Sequence, residues 1–228
     1  MTKIKMRTNL IELNDLENIQ LKTIQENGKR FYTDDAGKIR YPSVTTVTSL
    51  LTRDQIKLWR ERVGEETANK ISTRAARRGT NFHQLVEDYL RKEKDYIEFD
   101  DVMQEAQFKA VQPILDEIIP IALEAPMFSE NLEMAGRVDC VGLFDGVLSI
   151  IDFKTSSKHK TEEMAQPWYH QMTAYAIMVE ELTGQPIEEV NAIVSMEDGN
   201  YQIFSADPKD YVESLYGLRQ QYRTLYGV

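Results

Sequence analysis

Two aspartates and a lysine, Asp139, Asp152 and Lys154, stand in the stretch MAGRVDCVGLFDGVLSIIDFKTSS over residues 134–157. Asp145 and Gly146 form a DG pair between two apolar runs, the short-range signal for a tight two-residue hairpin. With that loop Asp139 lies directly across from Asp152, roughly 5 Å away at the backbone. Lys154, two residues further on, projects from the same face because strand side chains alternate. Two carboxylates forced together repel and resist ionisation, most of all when partly buried. A divalent cation removes that conflict: Mg²⁺ and Mn²⁺ favour oxygen ligands, polarise a phosphoryl oxygen and lower the pKa of a water. Lys154 then orients water, stabilises charge or handles a proton, and its type and spacing do not separate these roles. The competing reading sets both acids at strand ends facing solvent, with Lys154 offsetting their charge.

Positioning that pair takes a sheet and helices to pack it. Segments 121–129, 134–144 and 147–154 are short, apolar and strand-like. A helix is predicted over 163–183, strands at 188–196 and 199–205, and a closing helix at 208–223. Upstream, apolar positions recur at helical spacing from 53 to 92: Leu58, Trp59 and Val63 mark one helix before Gly64, and Phe82, Leu85, Val86, Tyr89 and Leu90 a later one. A third helical stretch covers 101–119, with Pro113 kinking or breaking it and Pro120 stopping it. The first 40 residues read as a short helix or extended arm, with turn-like ENGKR, followed by a hairpin whose DDAGK turn lies between Phe31/Tyr32 and Ile39/Tyr41. Residues 44–51 are β-branched but rich in Ser and Thr, and fit either a strand or a helix entry. The predicted class is mixed α/β (α+β), a mixed central sheet flanked by helices. It forms one domain over 1–228, with the arm and helical region in 1–100 and the sheet in 101–228.

Composition and charge narrow the functions. With 228 residues, 42% of them hydrophobic, the chain can bury a sizeable core, which excludes disorder, collagen or coiled coil as whole-chain descriptions. The single cysteine, Cys140, excludes an internal disulfide and an internal four-cysteine zinc or iron–sulfur site. An intracellular protein is expected, cytoplasmic or, for a phage-encoded chain, in the host cytoplasm. No apolar run approaches the about eighteen residues that span a bilayer, and no continuous apolar leader opens the chain, so no membrane role is expected. The 27 basic and 37 acidic residues give a net charge of −10, which counts against a polyanionic partner. Locally the balance reverses: residues 53–78 hold eight Lys/Arg and four Asp/Glu, and Arg74, Arg77 and Arg78 fall where no acid occurs between Glu66 and Glu87. That cluster is either a phosphate-binding track or a solvated helix face.

Taken in order and spacing, several segments resemble the PD-(D/E)xK nuclease superfamily, specifically its RecB-like exonuclease branch, and are similar to the mitochondrial genome maintenance exonuclease family and phage exonucleases. They are RGTNFH at 78–83, Glu124 in LEAPMFSE, GRVD at 136–139, DFKTS at 152–156 and QMTAY at 171–175, with PSVTTV at 42–47 as a further match. The resemblance implies a restriction-endonuclease-like core completed by the helix carrying His83, with a helical N-terminal region near the site that covers it or forms a passage. It assigns Asp139 and Asp152 as metal-binding carboxylates, Lys154 as the catalytic lysine, and His83 and the Phe153 backbone carbonyl as further ligands. Glu124 matches an acid that helps place a metal or its water. Gln171 and Tyr175 match a QxxxY helix motif that shapes the site and engages substrate, and Thr80 joins Arg74, Arg77 and Arg78 as an expected substrate contact. Val138 stands where the superfamily name has proline.

Singly, the supporting residues read more plainly. His83 beside Phe82 on an amphipathic helix is a packed or capping imidazole until the carboxylates are placed next to it. Trp59 and Tyr89 have the spacing of core residues rather than base-stacking ones, His159 reads as an exposed loop residue and His170 as non-catalytic. The expected function is a metal-dependent DNA exonuclease, a monomer that prefers single-stranded DNA or free ends and uses Mg²⁺ or Mn²⁺ without an iron–sulfur cluster. An imidazole in the donor set suits Mn²⁺. The alternative is a structure-selective or end-independent endonuclease of the same fold. A non-catalytic nucleic-acid-binding recombination accessory protein would be marked by loss of a metal acid or the lysine, and neither is missing.

Overall fold

The computed structural model describes residues 10–92 and 97–228. Near the start, Asn27 and Gly28 both take positive φ, 50° and 73°, the turn geometry that joins β1 (Lys22–Glu26) to β2 (Lys29–Thr33). β3 (Arg40–Pro42) completes a three-stranded antiparallel sheet, pairing Phe31 with Pro42 and Tyr32 with Tyr41. The DDAGK hairpin is thus present, and the segment before ENGKR is a strand as well. Residues 44–51 turn out helical because Ser43 accepts the Thr46 N–H at 3.0 Å, capping α1 (Val44–Thr48), which a 3₁₀ turn extends.

α2 (Arg53–Val63) and α3 (Glu65–Arg91) meet at Gly64, whose φ of 84° breaks the helix. α2 buries none of its residues, and Leu58 is 66% exposed. Trp59 is half-buried and belongs to neither core cluster, contrary to its spacing. The later half of α3 behaves as its pattern predicts: Phe82, Leu85, Val86 and Leu90 are buried, and Tyr89 packs edge-on against Phe108. α4 (Val102–Leu115) is capped by the Asp101 carboxylate and carries Pro113 within its last turn.

Pro120 does not stop that helix. It lies inside β4 (Ile118–Ser129), the edge strand, where the register to the next strand shifts between Pro120 and Ala122. An edge bulge tolerates a residue without an N–H. Gly142 lies opposite, and a Cβ there would come within 2.7 Å of the Ile119 carbonyl oxygen. β5 (Met134–Phe144) and β6 (Val147–Ser156) form the DG hairpin, with Asp145 and Gly146 at φ 51° and 78°. α5 (Glu162–Thr183) crosses to β7 (Glu189–Met196), β8 (Tyr201–Ala206) follows, and α6 (Val212–Tyr226) closes the chain. The sheet runs β4-β5-β6-β7-β8, antiparallel except for β6 against β7. α3 and α4 pack on one face through Phe82, Phe108, Ile151 and Ile193, whereas α5 and α6 pack on the other through Met172, Val141 and Leu215. No helix among the described residues is long and apolar enough to cross a membrane.

Candidate active site

The β5–β6 ladder pairs residues as far as Cys140 with Ile151, which leaves Asp139 and Asp152 as the next opposed positions. There the pattern changes: the Asp139 carboxylate accepts the Phe153 N–H at 2.9 Å. In an extended chain the N–H and C=O of one residue point the same way, so the Phe153 carbonyl is directed to the Asp139 side. Asp152 is 1% exposed. Gln171 Nε2 donates to its Oδ1 at 2.9 Å, and the Lys154 ammonium is ion-paired to its Oδ2 at 2.5 Å. Burial pushes Lys154 toward the neutral amine, but Asp152 and Asp139 outweigh it and hold the ammonium above its usual range.

α3 and β4 bring the remaining ligand candidates. His83 Nδ1 lies 3.4 Å from Asp139 Oδ2, and one donor atom each from His83, Glu124 and Asp139 fall within 4.8 Å of one another. Pairing of Leu123 with Cys140 and of Ala125 with Val138 sets Glu124 opposite Asp139. Glu124 has φ 48°, a left-handed conformation costly for a side-chain-bearing residue in mid-strand. Burial, reinforced by Asp152, pushes Asp139 up to about 7 despite His83, Lys154 and the Phe153 N–H. Burial also raises Glu124, with Glu87 adding to it and His83 and Arg137 opposing. The His83 imidazole and the two carboxyls of Asp139 and Glu124, which burial keeps from ionising, form a donor set that a divalent cation fits.

Tyr175, one turn beyond Gln171 on α5, packs across Gly136. A Cβ at that position would lie 2.7 Å from the Tyr175 hydroxyl and 2.8 Å from its ring. Burial first, then Asp139, keeps this phenol neutral far above its normal titration range. In front lies a cleft of about 500 Å³ lined by Thr80, His83, Gln84, Glu124, Arg30 and Arg137, among others. The helical N-terminal region reaches this cleft through Thr80, His83, Gln84 and Glu87 of α3, while no α2 residue lines it.

Of the sequence-predicted site residues, His83, Glu124, Asp139, Asp152, Phe153, Lys154, Gln171 and Tyr175 converge, and Thr80 faces the same cleft. Arg74 and Arg77 do not line this cleft; they face a groove on the other side of α3. Arg78 is ion-paired to Glu197 and hydrogen-bonds Thr155 Oγ1 at 3.2 Å, so it braces the end of β6. His170 is buried between the Gln166 carbonyl and Ser214, and His159 is exposed. Arg30 and Arg137 were missed. Arg137 precedes Asp139 by two, and strand alternation would have pointed to it. Arg30 arrives from β2, far off in sequence, with no local signal.

Over 129 residues the chain is 32% identical to mitochondrial genome maintenance exonuclease 1 of Homo sapiens, and over 130 residues 29% identical to that of Mus musculus. Each match covers 52% of this chain and 38% of the relative, so the chain spans under two fifths of those relatives' length. A solved structure, the crystal structure of SSO0001, aligns over 79% of this chain and 75% of its own with 14% identity and a TM-score of 0.41. The family model for the PD-(D/E)XK nuclease superfamily matches residues 53–210, which hold every converging residue named above except Arg30. The chain belongs to the PD-(D/E)XK nuclease superfamily.

Proposed function

We propose that this chain is a metal-dependent DNA exonuclease that hydrolyses phosphodiester bonds in single-stranded DNA or at free DNA ends. What supports it most is the convergence of His83 from α3 and Glu124 from β4 on Asp139, Asp152 and a charged, half-buried Lys154 of the β5–β6 hairpin. The human and mouse relatives are exonucleases by name. Preference for single strands rests on the family resemblance and not on any residue. The arm, the helices and the sheet act as one nuclease unit, since the cleft draws Arg30 from β2, His83 from α3, Glu124 from β4 and Arg137 from β5.

His83, Glu124, Asp139, Asp152 and the Phe153 carbonyl would hold Mg²⁺ or Mn²⁺, which supplies a Lewis acid for the phosphoryl oxygen and for the attacking water. The chain's own groups do the rest. Gln171 fixes the Asp152 carboxylate, and Tyr175, a neutral phenol, walls the site behind Gly136. The Lys154 ammonium stands where negative charge develops as water adds to phosphorus and the bond to the 3′ oxygen breaks. Arg30 and Arg137 position the flanking phosphates.

The test uses linear and covalently closed circular single strands, labelled at each end, with Mg²⁺ or Mn²⁺. Linear strands are degraded from an end and circles persist; rapid cutting of circles would instead mark an end-independent endonuclease. Lys154→Ala keeps DNA binding and loses about 100-fold or more of hydrolysis. Normal turnover by that variant would sink the assignment.

A further inference from the structure

On the other side of α3 lies a groove of about 730 Å³ between α3, α4 and the β7–β8 turn, sharing no lining residue with the metal cleft. Its acids are already engaged. Glu66 pairs with Lys70 at 2.7 Å and Glu197 with Arg78, while Asp100 accepts Asn81 Nδ2 at 2.7 Å and Asp101 caps α4 through the Gln104 N–H at 2.8 Å. Arg74, Arg77 and Gln107 take no part in these pairings. Arg74 and Arg77 are exposed and have no ion pair among the described residues. Gln107 is 3% exposed, yet its Nε2 has no hydrogen-bond partner. Ser195 Oγ donates to the Gln107 backbone carbonyl at 2.8 Å, which fixes this point of α4 against β7. A buried donor without an acceptor is costly, and native proteins rarely keep one without a reason. Met103, 44% exposed, supplies an apolar lining, and the volume suits an organic molecule rather than a bare inorganic anion.

We propose that this groove is a second, metal-independent nucleotide-binding site, in which Arg74 and Arg77 hold the phosphate, the Gln107 amide meets a base or sugar acceptor, and Met103 packs against the base. The ligand is a nucleotide, either free or as one unit of a bound strand. Paired guanidinium–phosphate contacts and an apolar lining are the chemistry that recognises it.

The experiment titrates the full 228-residue chain, in chelator, with a deoxynucleoside monophosphate, inorganic phosphate, a deoxynucleoside and a short single-stranded oligonucleotide, following side-chain amide and arginine Nε resonances. The monophosphate moves the Gln107 amide and Arg77 Nε signals, and phosphate or nucleoside alone binds about tenfold more weakly. Arg74→Ala with Arg77→Ala, both at exposed positions, weakens the monophosphate about tenfold. Gln107→Met removes the preference for nucleotide over phosphate while phosphate still binds. Tighter binding of the oligonucleotide, lost in the arginine variant, supports a strand contact; equal binding supports a site for free nucleotide. No movement at Gln107 at millimolar nucleotide, unchanged affinity in the arginine variant, or shifts confined to Gln84 and Arg137 would overturn the proposal. Without metal no hydrolysis intervenes, so this result and the nuclease assay fail or succeed separately.

Discussion

Glu124 holds a left-handed φ of 48° in the middle of β4, and the side chain so placed meets His83 and Asp139. Strain retained at a candidate ligand is the mark of a position kept for chemistry at the expense of stability. Glu124→Gly, free of a Cβ penalty, should therefore be about 1 kcal/mol more stable than Glu124→Ala in denaturant unfolding, with both variants inactive. Equal stabilities would mean that the backbone relaxes and stores nothing. Asp139 gives the pH prediction. Its carboxyl is raised from an ordinary 3.8 to about 7, so between those values the folded state binds more protons than the unfolded one and stability falls as pH rises through about 7. In chelator the melting temperature should drop from pH 5 to pH 8, Asp139→Asn should flatten that drop, and Mn²⁺ should raise the melting temperature more at pH 8 than at pH 5. A melting temperature that climbs across this range in chelator would refute it. Asp139, Asp152 and Lys154 were legible from type and spacing because a two-residue turn dictates which side chains face each other. The strain at Glu124 was not, since nothing in the residue type announces a positive φ.

The β5–β6 hairpin and α5 form the unit that sets the site, joined by the Gln171–Asp152 hydrogen bond and by Tyr175 packed across Gly136. A methyl group there would overlap both the hydroxyl and the ring edge of Tyr175. Gly136→Ala should cost about 1–3 kcal/mol in unfolding free energy and depress hydrolysis. Adding Tyr175→Leu should restore much of the stability without the activity, a coupling that two independent sites would not show. Additive losses in the double variant would place the effect elsewhere. Strand and helix order downstream of residue 120 was readable because alternation and the DG pair are local signals. Pro120 misled because a proline that ends a helix and one that sits at an edge bulge look alike until the neighbouring strand, with Gly142 facing it, is known. Trp59 misled for the complementary reason: amphipathic spacing states which face could be buried, while burial itself depends on an element being there to cover it.

Across the whole molecule, a net charge of −10 must still admit a polyanion, and the arginines settle how. The positive segment 53–78 read as either a phosphate track or a solvated helix face, and α3 divides it from the cleft: Arg74 and Arg77 face one side, His83 the other, and Arg78 is spent on Glu197. Helical phase alone could have separated Arg74 from His83, whereas the supply of Arg30 from the small sheet depended on long-range docking. With Glu87 and Glu124 also lining the cleft, few phosphates can be neutralised there. Binding should then depend on salt only moderately. For the Lys154→Ala variant on short single strands, each neutralised phosphate contributes about −0.7 to the slope of log affinity against log salt. Arg30→Ala with Arg137→Ala should thus make that slope shallower by about 1.4. Arg74→Ala with Arg77→Ala should produce a similar change only on strands long enough to reach around α3. If the cleft pair leaves the slope untouched, DNA does not approach through this cleft, and the route of the strand would have to be drawn elsewhere.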